Sequence, residues 1–239
     1  MSNVAIGPVK IALRKPRYSM WNRLERSLYR ECEYSLHIPY GQRVFTPWFE
    51  TDRDTSYANA MRKVEAGGRL GVSLNRCFVM HHLAGSALRA FPDSPLAECG
   101  VYTGGTAQLI ALAIQDSTER MPLLHLFHSF EGMPQSSVPE RDYQSPGDYG
   151  DTSQEAVEER LKAFPNLKYH AGFIPDTFPE VNDVSGYSFV HVYVDIFPSV
   201  AACLQWLWPK LISRGVMVFD DYEFFPYPKS ARVAVDELE

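Results

Sequence analysis

Cysteine is scarce in this 239-residue chain, long apolar runs are missing and positive charge is in the minority. The four cysteines, Cys32, Cys77, Cys99 and Cys203, form no C-x-x-C pair, which disfavours both a zinc site and a dithiol redox motif. Cys99 and Cys203 sit among apolar neighbours and read as buried, reduced core residues. No stretch approaches the roughly 18 apolar residues of a membrane helix. The N-terminal MSNVAIGPVKIALRKPRYSMWNR is basic but has no continuous apolar core, so it does not read as a secretory signal. A cytoplasmic protein without a membrane partner is the expectation. With 23 basic and 29 acidic residues the net charge is −6, and a chain this acidic is poorly suited to grip a phosphate backbone. Nucleic acid is not an expected partner. There is no internal repeat and no low-complexity segment. A 45% apolar, 22% charged composition is that of an ordinary globular protein with a sizeable core.

The chain divides near residue 92, into a helical N-terminal extension or cap (1–92) and an α/β domain (93–239). Helical segments are expected over Ser19–Tyr34, Ser56–Glu65 and Asn75–Phe91, the last ended by Pro92. Beyond residue 95 short apolar runs alternate with helical stretches. Strands are expected over Leu96–Val101, Leu123–Phe127, Leu167–Ala171, Tyr187–Val194 and Gly215–Phe219. Helices are expected near Thr106–Ile114, Ser153–Phe164 and Ser199–Ile212, with Trp206 and Trp208 on the last as packing residues. Such alternation predicts an α/β fold with a parallel sheet covered on both faces. In open sheets of this kind ligands lie beyond the carboxyl ends of the strands.

The first strand runs into Glu98-Cys99-Gly100-Val101-Tyr102-Thr103-Gly104-Gly105-Thr106. Its G-x-x-x-G-G spacing differs from the dinucleotide pattern G-x-G-x-x-G. The glycines fit either a compact turn or a close backbone approach to a ligand. Glu98 could accept hydrogen bonds from a ligand, or form a salt bridge to a neighbouring element. The second strand ends in His128-Ser129-Phe130-Glu131-Gly132-Met133-Pro134, where Rossmann-type folds commonly carry an acid that grips ribose hydroxyls. A polar segment, Gln135–Asp151, has no clear periodicity and reads as a lid or as plain surface loop. Asp195 ends the fourth strand, and Asp220-Asp221 end the fifth. Three carboxylates on neighbouring strand ends repel one another unless something positive intervenes, and a hard cation such as Mg²⁺ is the favoured candidate. His81 and His82, adjacent on a helix, point in different directions and are not expected to share a metal ion.

Together these blocks resemble the macrocin O-methyltransferase family. The residues that carry the resemblance are Glu98 through Ala107, His128-Ser129-Phe130-Glu131-Gly132-Met133-Pro134, and Phe219-Asp220-Asp221-Tyr222. It extends from about residue 95 to the C-terminus. The resemblance implies a Rossmann-like class I methyltransferase sheet and S-adenosylmethionine as cofactor. It places Glu98, Gly100, Tyr102, Gly104, Gly105 and Thr106 around the methionine portion. His128, Ser129, Phe130 and Glu131 fall by ribose and adenine, with Gly172 and Phe173 bordering the adenine. It also implies Mg²⁺ on Asp195, Asp220 and Asp221, with Asp195 as the general base toward a hydroxyl of a sugar or glycosylated natural product. The chain departs from the family in three places. His128 stands where the family usually has an acid. Tyr193-Val194-Asp195 stands where D-x-D is usual. Relatives continue into a closing β-hairpin, whereas this sequence stops at Asp236-Glu237-Leu238-Glu239, which suggests either a truncation or a five-stranded sheet with an exposed edge.

Two other functions compete with this reading. A nicotinamide oxidoreductase is disfavoured by the absent G-x-G-x-x-G. A catalytically degenerate methyltransferase acting as a binding or structural subunit is supported by His128 and Tyr193 and opposed by the retained acids. The aromatic segment Tyr40, Phe45, Trp48 and Phe49, around Gln42 and Arg43, suits either acceptor stacking or a homo-oligomer contact.

Overall fold

The computed structural model describes residues 55–135, 142, 144–222 and 230–237. The segments Ser19–Tyr34 and Tyr40–Phe49 lie outside the described residues. Among the described residues the order begins with α1 (Thr55–Ala66) and α2 (Leu74–Ala90), followed by β1 (Leu96–Cys99), α3 (Gly105–Ser117) and β2 (Leu124–His128). Then follow α4 (Gln154–Leu161), β3 (Leu167–Ala171), β4 (Tyr187–Val192), α5 (Phe197–Leu207), β5 (Leu211–Phe219) and α6 (Ala231–Asp236). The five strands form one sheet of order β3-β2-β1-β4-β5 with every pairing parallel. This is the Rossmann-like methyltransferase architecture.

Strand residues alternate between two cores, as the two-residue period requires. Leu96, Leu124, Leu126 and Phe189 pack beneath α2 and α3, together with Val157 and Leu161 of α4. Ala97, Cys99, Phe127, Val190 and Val192 face the other way, against Cys203 and Leu207 of α5 and Phe178 of a short 3₁₀ turn. The buried stripe on α2 is Cys77, Met80, Ala84, Ala87 and Leu88, near the helical period. Helices α1 and α2 thus share the core of the sheet. Cys77, Cys99 and Cys203 are free and buried.

Helix α5 differs from the sequence expectation. It ends at Leu207, passes through a 3₁₀ turn at Trp208–Lys210, and β5 begins at Leu211. Trp208 keeps helical angles, φ −57° and ψ −46°, but Pro209 has no N–H to continue the ladder, so the α-helix stops there. Trp206 stacks on Phe178 with ring centroids 5.6 Å apart, whereas Trp208 is exposed. Among the described residues no helix is long and apolar enough to cross a membrane.

Candidate active site

The strand order reverses between β1 and β4, so the connections that follow them leave in opposite directions and open a crevice beyond the strand ends. The backbone at this point is held tightly. Gly100 N–H donates to the Phe127 carbonyl at 2.9 Å and Tyr193 N–H donates to Cys99 at 2.7 Å. Gly100 has φ +92°, and a Cβ there would lie 1.8 Å from the Tyr193 carbonyl oxygen. Only glycine lets the two strand ends close to this spacing.

The crevice is an open cleft of ≈ 610 Å³ when measured out to solvent. Of the residues singled out from sequence, Gly100, Tyr102, His128, Ser129, Gly172, Phe173 and Asp195 line it. Glu98, Gly104, Gly105, Thr106, Phe130 and Glu131 are not among the lining residues. Glu98 is fully buried and pairs with His191, its direct cross-strand neighbour on β4, through a 2.8 Å contact from Oε1 to Nδ1. That is the salt-bridge alternative raised by the sequence. Gly104 and Gly105 allow close packing against Val157 and Leu70, and Thr106 is buried at the start of α3. Phe130, with φ +58°, packs edge-on against His128 and on the core beneath α2 and α3. Glu131 is exposed. The Ser129 hydroxyl donates to the Gly132 carbonyl at 3.0 Å and so closes the turn after β2.

Residues 144–151 come back to the cleft. Met133 N–H donates to Asp148 at 2.8 Å and Gly147 N–H to Met133 at 2.9 Å, which brings Tyr149 into the cleft wall. Tyr149 meets Tyr102 edge to face at 5.4 Å. The Tyr102 hydroxyl donates to Asp151 at 2.7 Å and accepts from Arg69 at 2.6 Å. Asp142 accepts from Phe197 N–H at 2.7 Å, satisfying one of the free donors at the start of α5. Tyr149 and Asp142 were visible only as members of the Gln135–Asp151 segment, and Arg69 carried no signal, because their partners are far away along the chain.

The cleft fits an adenosyl cofactor on two observations. Its walls are rich in aromatic residues and glycine, with Phe173 and Tyr149 offering flat apolar surface. The buried Nε2 of His128 has no hydrogen-bond partner among the described residues. Burial lowers the His128 pKa to about 4, so the ring is neutral at physiological pH and can exchange hydrogen bonds with a hydroxyl.

The three aspartates do converge at the neighbouring ends of β4 and β5. Asp195 is buried, has φ +58°, and shares a hydrogen bond with Asp221. Burial and the Asp221 carboxylate push its pKa well above the usual carboxylate range. The positive charge that the sequence left open comes from α2. One guanidinium nitrogen of Arg76 donates to Asp220 at 2.8 Å and to Asp221 at 2.9 Å. From below, His191 Nε2 faces the second Asp220 oxygen at 3.9 Å. Burial favours the neutral imidazole, but the Asp220 and Glu98 carboxylates outweigh it and raise the His191 pKa to about 9. Burial likewise disfavours the charged Asp220, yet His191 and Arg76 outweigh it and lower the pKa. In this arrangement the carboxylates do not fit Mg²⁺. A divalent ion bridging Asp220 and Asp221 would lie against a guanidinium that already holds one oxygen of each.

The model of the family described as macrocin O-methyltransferase matches residues 81–238. The chain belongs to the macrocin O-methyltransferase family. Among solved structures, the macrocin-family fold is shared by the O-methyltransferase NovP. The TM-score is 0.58 with 20% identity, over 69% of this chain and 71% of that one. It is shared also by the calicheamicin methyltransferase CalS11, with TM-score 0.56 and 14% identity over 78% of this chain and 84% of that one. An apo structure of CalS11 describes it as a TDP-rhamnose 3'-O-methyltransferase; it matches with TM-score 0.51 and 13% identity over 77% and 84% of the two chains. At these identities the structural likeness speaks for the fold alone. No curated protein matches the chain.

Proposed function

We propose that this O-methyltransferase moves a methyl group from S-adenosylmethionine to a hydroxyl of a sugar or glycosylated natural product, and that Asp195 receives the hydroxyl proton. One observation carries the reading: the cleft at the strand-order reversal has a largely apolar body and a buried carboxylate, Asp195, in its wall. The family supports the reaction class. CalS11, which shares the fold, acts on a nucleotide-linked sugar, and this supports the same acceptor class here.

When bound, the cofactor supplies an electrophilic methyl group on a positively charged sulfur. The chain's own residues do the rest. Gly100 and the turn after β1 admit the ligand to the sheet edge, and neutral His128 hydrogen-bonds a ribose hydroxyl. Phe173 and Tyr149 cover flat apolar surface. A sugar hydroxyl has a pKa far above neutrality and needs a proton acceptor as it attacks. Asp195 is suited to that role because burial beside Asp221 makes it more basic than a solvated carboxylate. Alignment of the attacking oxygen with the methyl group supplies much of the acceleration, through positioning. Tyr102 and Tyr149 hold the lid segment over the cleft and exclude water.

Calorimetric titration with S-adenosylmethionine and S-adenosylhomocysteine tests the first half. Binding in about the micromolar range is expected, and no binding by folded protein would refute the reading. Asp195→Asn tests the second half. It is expected to leave cofactor binding within about twofold while lowering methyl transfer to TDP-sugar acceptors by about 10²-fold or more.

A further inference from the structure

We propose that Arg76 is the resident cation of the carboxylate cluster, occupying the bridging position that a divalent ion would take between Asp220 and Asp221, so that acceptor activation here relies on protein charge in place of a bound metal. The proposal rests on the methyltransferase reading for the word acceptor, and on geometry for the rest. A single guanidinium nitrogen reaches both carboxylates, at 2.8 and 2.9 Å, as a metal bridging two aspartates would. The three side chains are well withdrawn from water, with Asp220 4%, Asp221 11% and Arg76 29% exposed. Charge pairs at this depth interact far more strongly than on the surface, and a second cation placed against the guanidinium would meet that repulsion in full.

The remaining oxygens point the same way. A metal ligand must aim a lone pair at the ion, yet Asp220 Oδ2 is bonded to Arg76 and Oδ1 faces the His191 ring. Two basic side chains, from α2 and β4, therefore surround one aspartate. The approach of α2 is fixed as well. Cys77, next to Arg76, is fully buried in the core beneath the helix, and the Tyr193 hydroxyl donates to the Gly71 carbonyl at 3.0 Å, tying the segment before α2 to the end of β4. Tyr193 stands where a further acid would add negative charge to attract an ion. In its place the chain has a neutral side chain that anchors the helix bearing Arg76.

Mn²⁺ titration of the full chain, read by the paramagnetic resonance signal of the free ion with S-adenosylhomocysteine present, tests this without an activity assay. Wild type is expected to take up no ion at a cation concentration of about 1 mM, ample for an oxygen-ligand site. Arg76→Ala uncovers both carboxylates and is expected to gain Mn²⁺ affinity by about tenfold or more. Arg76→Lys keeps the charge and is expected to stay closed to the ion. If Arg76→Ala does not fold, as judged by near-ultraviolet circular dichroism, Arg76→Gln removes the charge while keeping a donor toward the aspartates. Uptake of one Mn²⁺ per wild-type chain, lost in Asp221→Asn, would overturn the proposal. So would a folded, neutral variant at position 76 that gains no affinity. S-adenosylhomocysteine binding is scored in the same samples: its failure would remove the methyltransferase reading and leave the Mn²⁺ results to decide the role of Arg76.

Discussion

Single positions decide how the cleft is built and what it reads. Gly100 has the most severe constraint, since a side chain there would occupy the space of the Tyr193 carbonyl in a left-handed backbone. Gly100→Ala is expected to lower stability by about 3 kcal/mol or more, the range of strained and overpacked core sites. A denaturant titration beside wild type checks it. His128 offers a chemical test. Its buried Nε2 lacks a partner among the described residues and its ring is neutral. His128→Ala is therefore expected to weaken S-adenosylhomocysteine binding by about tenfold, the worth of one buried hydrogen bond. An unchanged dissociation constant in calorimetry would remove His128 from cofactor recognition. The histidine was visible in the sequence as a departure from the acid usual at that place. What the sequence could not show was its protonation state, which depends on burial.

Among the elements, legibility followed the range of the interaction. Strands β1 to β4 and helices α1 to α4 were expected close to where they occur, because apolar periodicity and flanking Gly or Pro are local signals. The end of α5 was misplaced because Leu211 and Ile212 continue an apolar pattern past Pro209, and they belong to β5. The convergence of Asp195 with Asp220 and Asp221 was legible once the two strands were taken as neighbours. Arg76 was not, since it meets Asp220 across 144 residues and a lone arginine on a helix gives no sign of its partner. The lid contacts share that long range. Tyr102 joins Arg69, ahead of α2, to Asp151 in the segment over the cleft. Tyr102→Phe removes both hydrogen bonds but keeps the ring against Tyr149. Bound S-adenosylhomocysteine is expected to dissociate about five- to tenfold faster in stopped-flow, a change of about 1 kcal/mol. An unaltered dissociation rate would mean that this latch does not hold the lid.

At the scale of the molecule, the buried histidines set opposing limits on stability. His125 on β2 meets His170 on the neighbouring β3, with ring nitrogens 3.0 Å apart, and His170 pairs with Glu180 at 2.7 Å. Burial, with His170 and Lys168 nearby, lowers the His125 pKa to about 4; burial alone lowers His128 to about 4, and His170 is lowered by burial against the pull of Glu180. In the unfolded chain each titrates near 6.5. As pH falls below about 6.5 the unfolded state binds protons that the folded state refuses, so stability drops toward pH 4. His191 acts in the opposite sense. Its folded pKa of about 9 exceeds the unfolded value, so its stabilisation is complete below about 6.5 and is lost as pH rises through 9. Each unit of difference corresponds to about 1.4 kcal/mol. The two limbs meet near pH 6.5, where thermal unfolding midpoints measured from pH 4.5 to 9.5 at constant ionic strength should peak. The limbs are separable by mutation: His125→Asn should make the acid side shallower, with His128 and His170 still contributing, and leave the alkaline side in place, whereas His191→Gln should flatten the alkaline side. A wild-type profile that stays level from pH 6.5 to 9 would mean that His191 carries no proton between Glu98 and Asp220.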